Sequence, residues 1–227
     1  MDTNNPDLKR KKELVIARSL EQKKALIEAL TASIVNGTLE PGSPLRQEEI
    51  AEQFSVSRMP VREAFIELEA KGLLKLVPNS GAFVPPLEKA ELRENFEMRA
   101  AAECLALRIA IPEISNRQLD EALEIHEQMQ RCKLDEYIEL NNRFHIRLYS
   151  PSHRPRLLAH IETLNVISAR YIRLNIGHFQ YTARSNDEHA TLLDSCKIRD
   201  VENSVRILGE HITCAGENLE REFFKLR

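Results

Sequence analysis

The chain has 227 residues, 42% of them hydrophobic, and a formal charge of -3 with a pI near 6.2, which suits one large domain or two small ones with ordinary apolar cores. That balance argues against a protein that coats nucleic acid indiscriminately, since such proteins are basic overall. No apolar run approaches the roughly 18–20 residues a membrane span needs, and the polar start MDTNNPDLKRKKE lacks a signal-peptide core, so a cytoplasmic protein without a membrane partner is expected.

Residues 1–20, with the basic run Lys9-Arg10-Lys11-Lys12, read as an N-terminal extension whose charges are solvated. From about 20 to 36, LEQKKALIEALTASIVN sets Leu26, Ile27, Leu30 and Ile34 on one helical face, and Gly37 follows as a C-cap. The turn LEPGSPL leads to a short second helix near 46–54. A third helix starts after Ser57 as N-cap, takes Pro60 in its first turn, and ends near Lys71-Gly72. LLKLV, a turn at Pro78-Asn79-Ser80-Gly81, and AFV then form a hairpin in which the glycine permits positive φ.

Three helices and a two-stranded hairpin over residues 21–85 make the winged helix-turn-helix plan, with the third helix as the element that enters a major groove. Residues 1–86 carry 12 Lys/Arg and 12 Asp/Glu, so a DNA-binding face must come from placement rather than from net charge. Ser57 and the helix N-terminus suit a phosphate. Arg58 and Arg62, four residues apart on one face, suit phosphates or guanine edges. The plainer reading of the two arginines is a surface pairing with Glu63 or Glu67.

Pro85-Pro86 is the natural linker, because neither residue continues a helix or donates to a sheet. Residues 86–227 follow as an all-α antiparallel bundle, with helices at about 88–111, 116–132, 134–150, 154–174, 178–198 and 200–225 and a break or kink near Ser185–Glu188. Cys104, Cys132, Cys196 and Cys214 are widely spaced and read as reduced, mostly buried thiols. Asn141 and His145 share a helix face. His189 and His211 flank a turn near Arg199-Asp200, where Asp200 can cap the last helix; a rise of about 1.5 Å per residue brings both histidines to one level of an antiparallel pair. Three imidazoles and an amide oxygen converging in a bundle suit a divalent transition metal such as Zn, Ni, Mn or Fe. His126, His153, His160 and His178 read as ordinary polar residues.

The first part resembles the GntR family of bacterial transcription regulators. The matching residues are Ile34, Gly37, Leu39, Pro41-Gly42, Leu45, Ile50-Ala51, the string VSRMPVREA from Val56, Leu68-Glu69, Gly72-Leu73, Pro78, Gly81 and Val84. The resemblance implies that Ser57, Arg58 and Arg62 contact palindromic operator DNA, that Gly81 lies at a wing tip near the minor groove, and that the protein works as a homodimer. Glu48 and Ser80 stand where such proteins often carry basic residues, which weakens the local positive field.

The second part is similar to the FCD type of GntR effector domain through Arg99 and Glu103, Phe144-His145, Glu188-His189, Arg199-Asp200 and His211, with a helix count closer to the VanR group. That type binds a divalent metal through an aspartate four residues before the first histidine and three histidines. Here Asn141 replaces the aspartate, and the lost charge implies weaker metal binding. The resemblance further implies a small organic acid effector whose carboxylate meets arginine, Arg99 first, with Arg143, Arg170 and Arg173 as lesser candidates. The plainer role of Arg99 is a bridge to Glu103.

The expected function is a ligand-responsive transcriptional regulator, on family grounds a repressor rather than an activator. One alternative is a constitutive DNA-binding regulator whose effector site has degenerated at Asn141. A metal-dependent enzyme is more remote, because no acid/base carboxylate stands at motif spacing beside the histidines and no glycine-rich phosphate loop is present.

Overall fold

The computed structural model describes residues 6–78, 81–174 and 179–223. The chain divides into two compact units, Met1–Pro86 and Leu87–Arg227. The first contains α1 (Pro6–Val35), β1 (Pro44–Leu45), α2 (Gln47–Gln53), α3 (Arg58–Ala70), β2 (Lys75–Val77) and β3 (Gly81–Phe83).

Helix α1 buries Leu26, Ile27, Leu30 and Ile34 and packs on α3. It begins at Pro6 rather than near residue 20. Apolar spacing marks only the part that meets the core, whereas Leu, Lys, Arg, Glu and Ala continue a helix without it. Helix α3 places Val61, Ala64, Phe65 and Leu68 inside with no exposed surface and leaves Met59 and Ile66 exposed, the 3.6-residue period of a half-buried helix.

The wing has three strands, not two. Strand β1, at the end of the stretch expected to be only a turn, pairs antiparallel with β3, giving the order β1-β3-β2. A two-residue strand beginning with proline has no alternation to betray it, and proline is tolerated at such an edge. The pairing also explains Gly81, whose φ is +93°; a Cβ there would collide with the Leu45 carbonyl oxygen. Asn79 and Ser80 lie outside the described residues.

The second unit contains α4 (Lys89–Ala110), α5 (Asn116–Arg131), α6 (Leu134–Tyr149), a 3-10 turn at Ser150–Ser152, α7 (Pro155–Leu174), α8 (Phe179–Lys197) and α9 (Val201–Phe223). The six expected helices are present, with ends shifted by a few residues. Helix α4 packs against α6, α7 and α9; α5 lies on α6 and α8, and α8 on α9. Gly216 on α9 lets the Phe96 ring of α4 approach, since a Cβ would stand 2.8 Å from that ring. Helix α5 starts with a full capping box between Ser115 and Gln118, which satisfies donors otherwise orphaned at a helix start.

Helix α8 is unbroken through Ser185–Glu188, contrary to the expected kink. Ser185 is buried, Asn186 accepts a hydrogen bond from the Tyr137 hydroxyl, and Arg184 pairs with Glu188 one turn on, so helix-neutral residues are held by neighbours. Asp200 accepts from the Asn203 N–H and caps α9, after a turn in which Arg199 has φ +60°. Of the four free cysteines only Cys196 is buried; the other three are half-buried, more exposed than expected. No described helix is long and apolar enough to cross a membrane.

Candidate functional site

Two groups of side chains stand out, one in each unit. On α3, Ser57 occupies the N-cap, but its hydroxyl makes no capping bond, which leaves it available to an incoming acceptor. Arg58 is exposed and pairs with Glu48 of α2 at 2.9 Å, not with Glu63 or Glu67. Arg62 is exposed. Glu67 instead pairs with Lys23 of α1 at 3.0 Å and with Lys71, one turn on, at 3.1 Å.

In the helical unit, His145 of α6, His189 of α8 and His211 of α9 are buried and offer ligand atoms that all lie within 4.8 Å of one another. The Nε2 atoms of His145 and His189 are 3.2 Å apart. Two ring nitrogens on one zinc ion, each at about 2.0–2.1 Å, stand about 3.0–3.4 Å apart, so this spacing fits a shared ion. The ring centroids of His189 and His211 are 4.7 Å apart, and those of His145 and His211 5.4 Å. The antiparallel α8–α9 turn supplies that register.

Burial, then the neighbouring His211 and Arg99 charges, holds His145 well below the ordinary imidazole range. His189 is lowered the same way, first by burial and then by His145, His211 and His126. Both are neutral at pH 7, the form that ligates a metal. Around the triad, His211 Nδ1 meets Glu188 Oε2 at 2.7 Å, and Glu188 also accepts from Arg184. The His211 bond chiefly, with the Arg184 bond, keeps the Glu188 carboxyl below its usual range against the effect of burial. His145 Nδ1 meets the Tyr149 hydroxyl at 3.1 Å. His189 Nδ1 is buried without a hydrogen-bond partner among the described residues.

Arg99 is buried. Its Nε donates to Glu103 at 2.7 Å and its Nη1 to Ser168 at 3.1 Å, so the plainer role of Arg99 is realised. It lines a cavity of about 20 Å³ with Tyr137, Asn141, Asn165, Ser168 and Ile172, room for about one water. The Asn165 side-chain oxygen beside it is buried without a hydrogen-bond partner among the described residues. Asn141 thus stands one turn before His145 and faces the Arg99 cavity.

The other expected effector arginines are not brought to this cavity. Arg143 is exposed and lines an open groove between α5 and α6 among Glu124, Glu136 and Glu139. Arg170 is buried, which lowers its guanidinium pKa, and the Glu91 carboxylate at the start of α4 acts against that effect. Arg173, half-buried on the same helix, is not among the residues lining the cavity.

Among the remaining histidines, His126 is buried, its Nε2 on the Asn186 carbonyl at 3.0 Å and its ring edge-on to His189. His153 and His160 are exposed; His178 lies outside the described residues. Spacing alone did not single out Tyr149, Glu188 or Asn165, although Tyr149 is one turn beyond His145 and Glu103 one turn beyond Arg99.

Residues 22–84 match the family described as bacterial regulatory proteins, gntR family, and residues 94–213 match the FCD domain. The chain belongs to the GntR family, in the class that carries an FCD domain. Among GntR relatives, it is 29% identical over 196 residues to the HTH-type transcriptional repressor RspR of Escherichia coli K12, covering 85% of this chain and 86% of the relative. It is 30% identical over 220 residues to the HTH-type transcriptional regulator BphR of Paraburkholderia xenovorans LB400, covering 90% and 89%. The solved structure of E. coli McbR/YncC has the same fold, with a TM-score of 0.76 at 24% identity over 89% of this chain and 98% of that one. A GntR protein of this class is a DNA-binding transcriptional regulator, not an enzyme.

Proposed function

We propose that this GntR regulator is a homodimeric repressor, reading a palindromic operator through residues 21–85 and released by a small organic acid bound in residues 86–227. Ser57, Arg58 and Arg62 serve as the reading edge of α3, and Gly81 brings the wing to the minor groove. His145, His189 and His211 hold a divalent transition metal, with the Asn141 oxygen as a fourth, neutral ligand. Bound there, the metal supplies a Lewis-acid anchor for a carboxylate. Arg99 meets the same carboxylate with a charge-assisted hydrogen bond. The observation that carries this reading is the convergence of three buried imidazoles beside a buried arginine.

The acid changes DNA affinity only if it binds the DNA-competent and incompetent arrangements unequally. A gel shift on the DNA upstream of the protein's own gene tests the scheme. A retarded band at low salt that fades as a carboxylate is added supports it; no retarded band sinks the operator reading. The small Arg99 cavity favours a second reading, a constitutive regulator with a degenerate effector site, because an acid must displace side chains to enter. A thermal-shift screen of metal-loaded protein against carboxylates separates the two: no stabilisation by any acid favours the constitutive form.

A further inference from the structure

A continuous buried chain of hydrogen bonds runs from Arg99 to the histidine triad. Arg99 Nε donates to Glu103 Oε1 at 2.7 Å, the Tyr149 hydroxyl donates to Glu103 Oε2 at 2.7 Å, and His145 Nδ1 lies 3.1 Å from that hydroxyl oxygen. Glu103 and Tyr149 have no exposed surface, and His145 has 1%. Water therefore does not substitute for Glu103, Tyr149 or His145.

The donor inventory fixes the direction of every bond. Arginine only donates, so Glu103 accepts from it. The other carboxylate oxygen accepts the single hydroxyl proton of Tyr149. The Tyr149 oxygen, its proton committed, can only accept from His145, which places the His145 proton on Nδ1. The Nε2 of His145 is left as a bare lone pair, and that is the atom 3.2 Å from His189 Nε2.

We propose that Glu103 and Tyr149 are positioning residues that set the tautomer of His145, so that the arginine offered to the effector and the metal-binding histidines work as one hydrogen-bonded unit. The proposal rests on the metal reading given above. Orienting partners of a ligating imidazole commonly change metal affinity 10- to 100-fold when removed.

The chain makes an uncommon prediction for Glu103→Gln. A glutamine must turn its oxygen to Arg99 and its amide protons to Tyr149. The Tyr149 hydroxyl then donates to His145 Nδ1, and the His145 proton moves to Nε2, where it blocks the lone pair. Tyr149→Phe instead leaves Nδ1 without a partner.

Two-bond nitrogen–proton NMR of the full-length, metal-free protein reads the tautomer directly. Nδ1–H on His145 in the wild type and Nε2–H in E103Q are expected. An Nε2–H wild type, or an unchanged tautomer in E103Q, overturns the relay. Zinc affinity, measured against a chromophoric chelator, is expected to fall about 10- to 100-fold in both E103Q and Y149F. Zinc binding by the wild type that changes less than about threefold in both variants overturns the positioning role. If the wild type binds no zinc, the metal reading fails and this inference with it, while the tautomer pattern still judges the relay.

Discussion

Replacing Glu48 by glutamine should tighten DNA binding. Glu48 holds Arg58 at 2.9 Å, with both side chains mostly exposed at 58% and 70%. An exposed pair of this kind is worth about 0.2–1 kcal/mol. To reach a phosphate or a base edge Arg58 must leave that partner, so each half-site loses up to this amount, and two half-sites lose about 0.4–2 kcal/mol. Removing the carboxylate should therefore lower Kd about 2- to 30-fold. The gain should be larger at 50 mM than at 200 mM salt, because a negative charge beside the phosphates also disappears. Fluorescence anisotropy with a labelled operator fragment measures both. Stability should change by less than about 0.5 kcal/mol, as for other exposed sites. Unchanged or weaker binding in E48Q would refute the reasoning and would mean that Glu48 itself orients Arg58 or accepts from a base.

Arg62→Ala should cost about 1–3 kcal/mol of operator binding per half-site if the guanidinium reads a guanine, with little change in melting temperature; a parallel loss on unrelated DNA would mark it as a phosphate contact. The metal-free helical unit should lose stability as pH falls below about 6.5. His145 and His189 are held below the imidazole range in the folded state, so the unfolded chain binds more protons there. The stability they permit is full above about pH 6.5 and drops by up to about 1.4 kcal/mol per pH unit per histidine below it. Urea melts at pH 7.5 and 5.5 check this, and His189→Asn should flatten the difference. Gly81→Ala should destabilise the winged unit by about 1–3 kcal/mol, since it combines positive φ with a collision at Leu45; a denaturant melt showing no loss would contradict the strained turn.

The histidine register was legible because it depends only on rise per residue and on the position of one turn, which Arg199-Asp200 marks. That Arg58 and Arg62 share one exposed side of α3 was legible from their i,i+4 spacing. The start of α1 was not, because its first residues follow propensity without a buried stripe. Strand β1 was hidden by its length and its proline. Arg143 illustrates a different limit: it precedes His145 by two residues, about 200° around the helix, so a buried His145 turns it to solvent. The Glu48–Arg58 pair joins two helices and follows from neither sequence alone. The chain from Arg99 to His145 links α4 and α6, and only the packing of those helices brings the two i,i+4 pairs into contact.

The metal reading is tested most directly by anomalous diffraction from crystals grown with a divalent metal, collected at that metal's absorption edge. One peak about 2.0–2.2 Å from a ring nitrogen of each of His145, His189 and His211 is the expected result. An anomalous map with no peak among those three rings would contradict it.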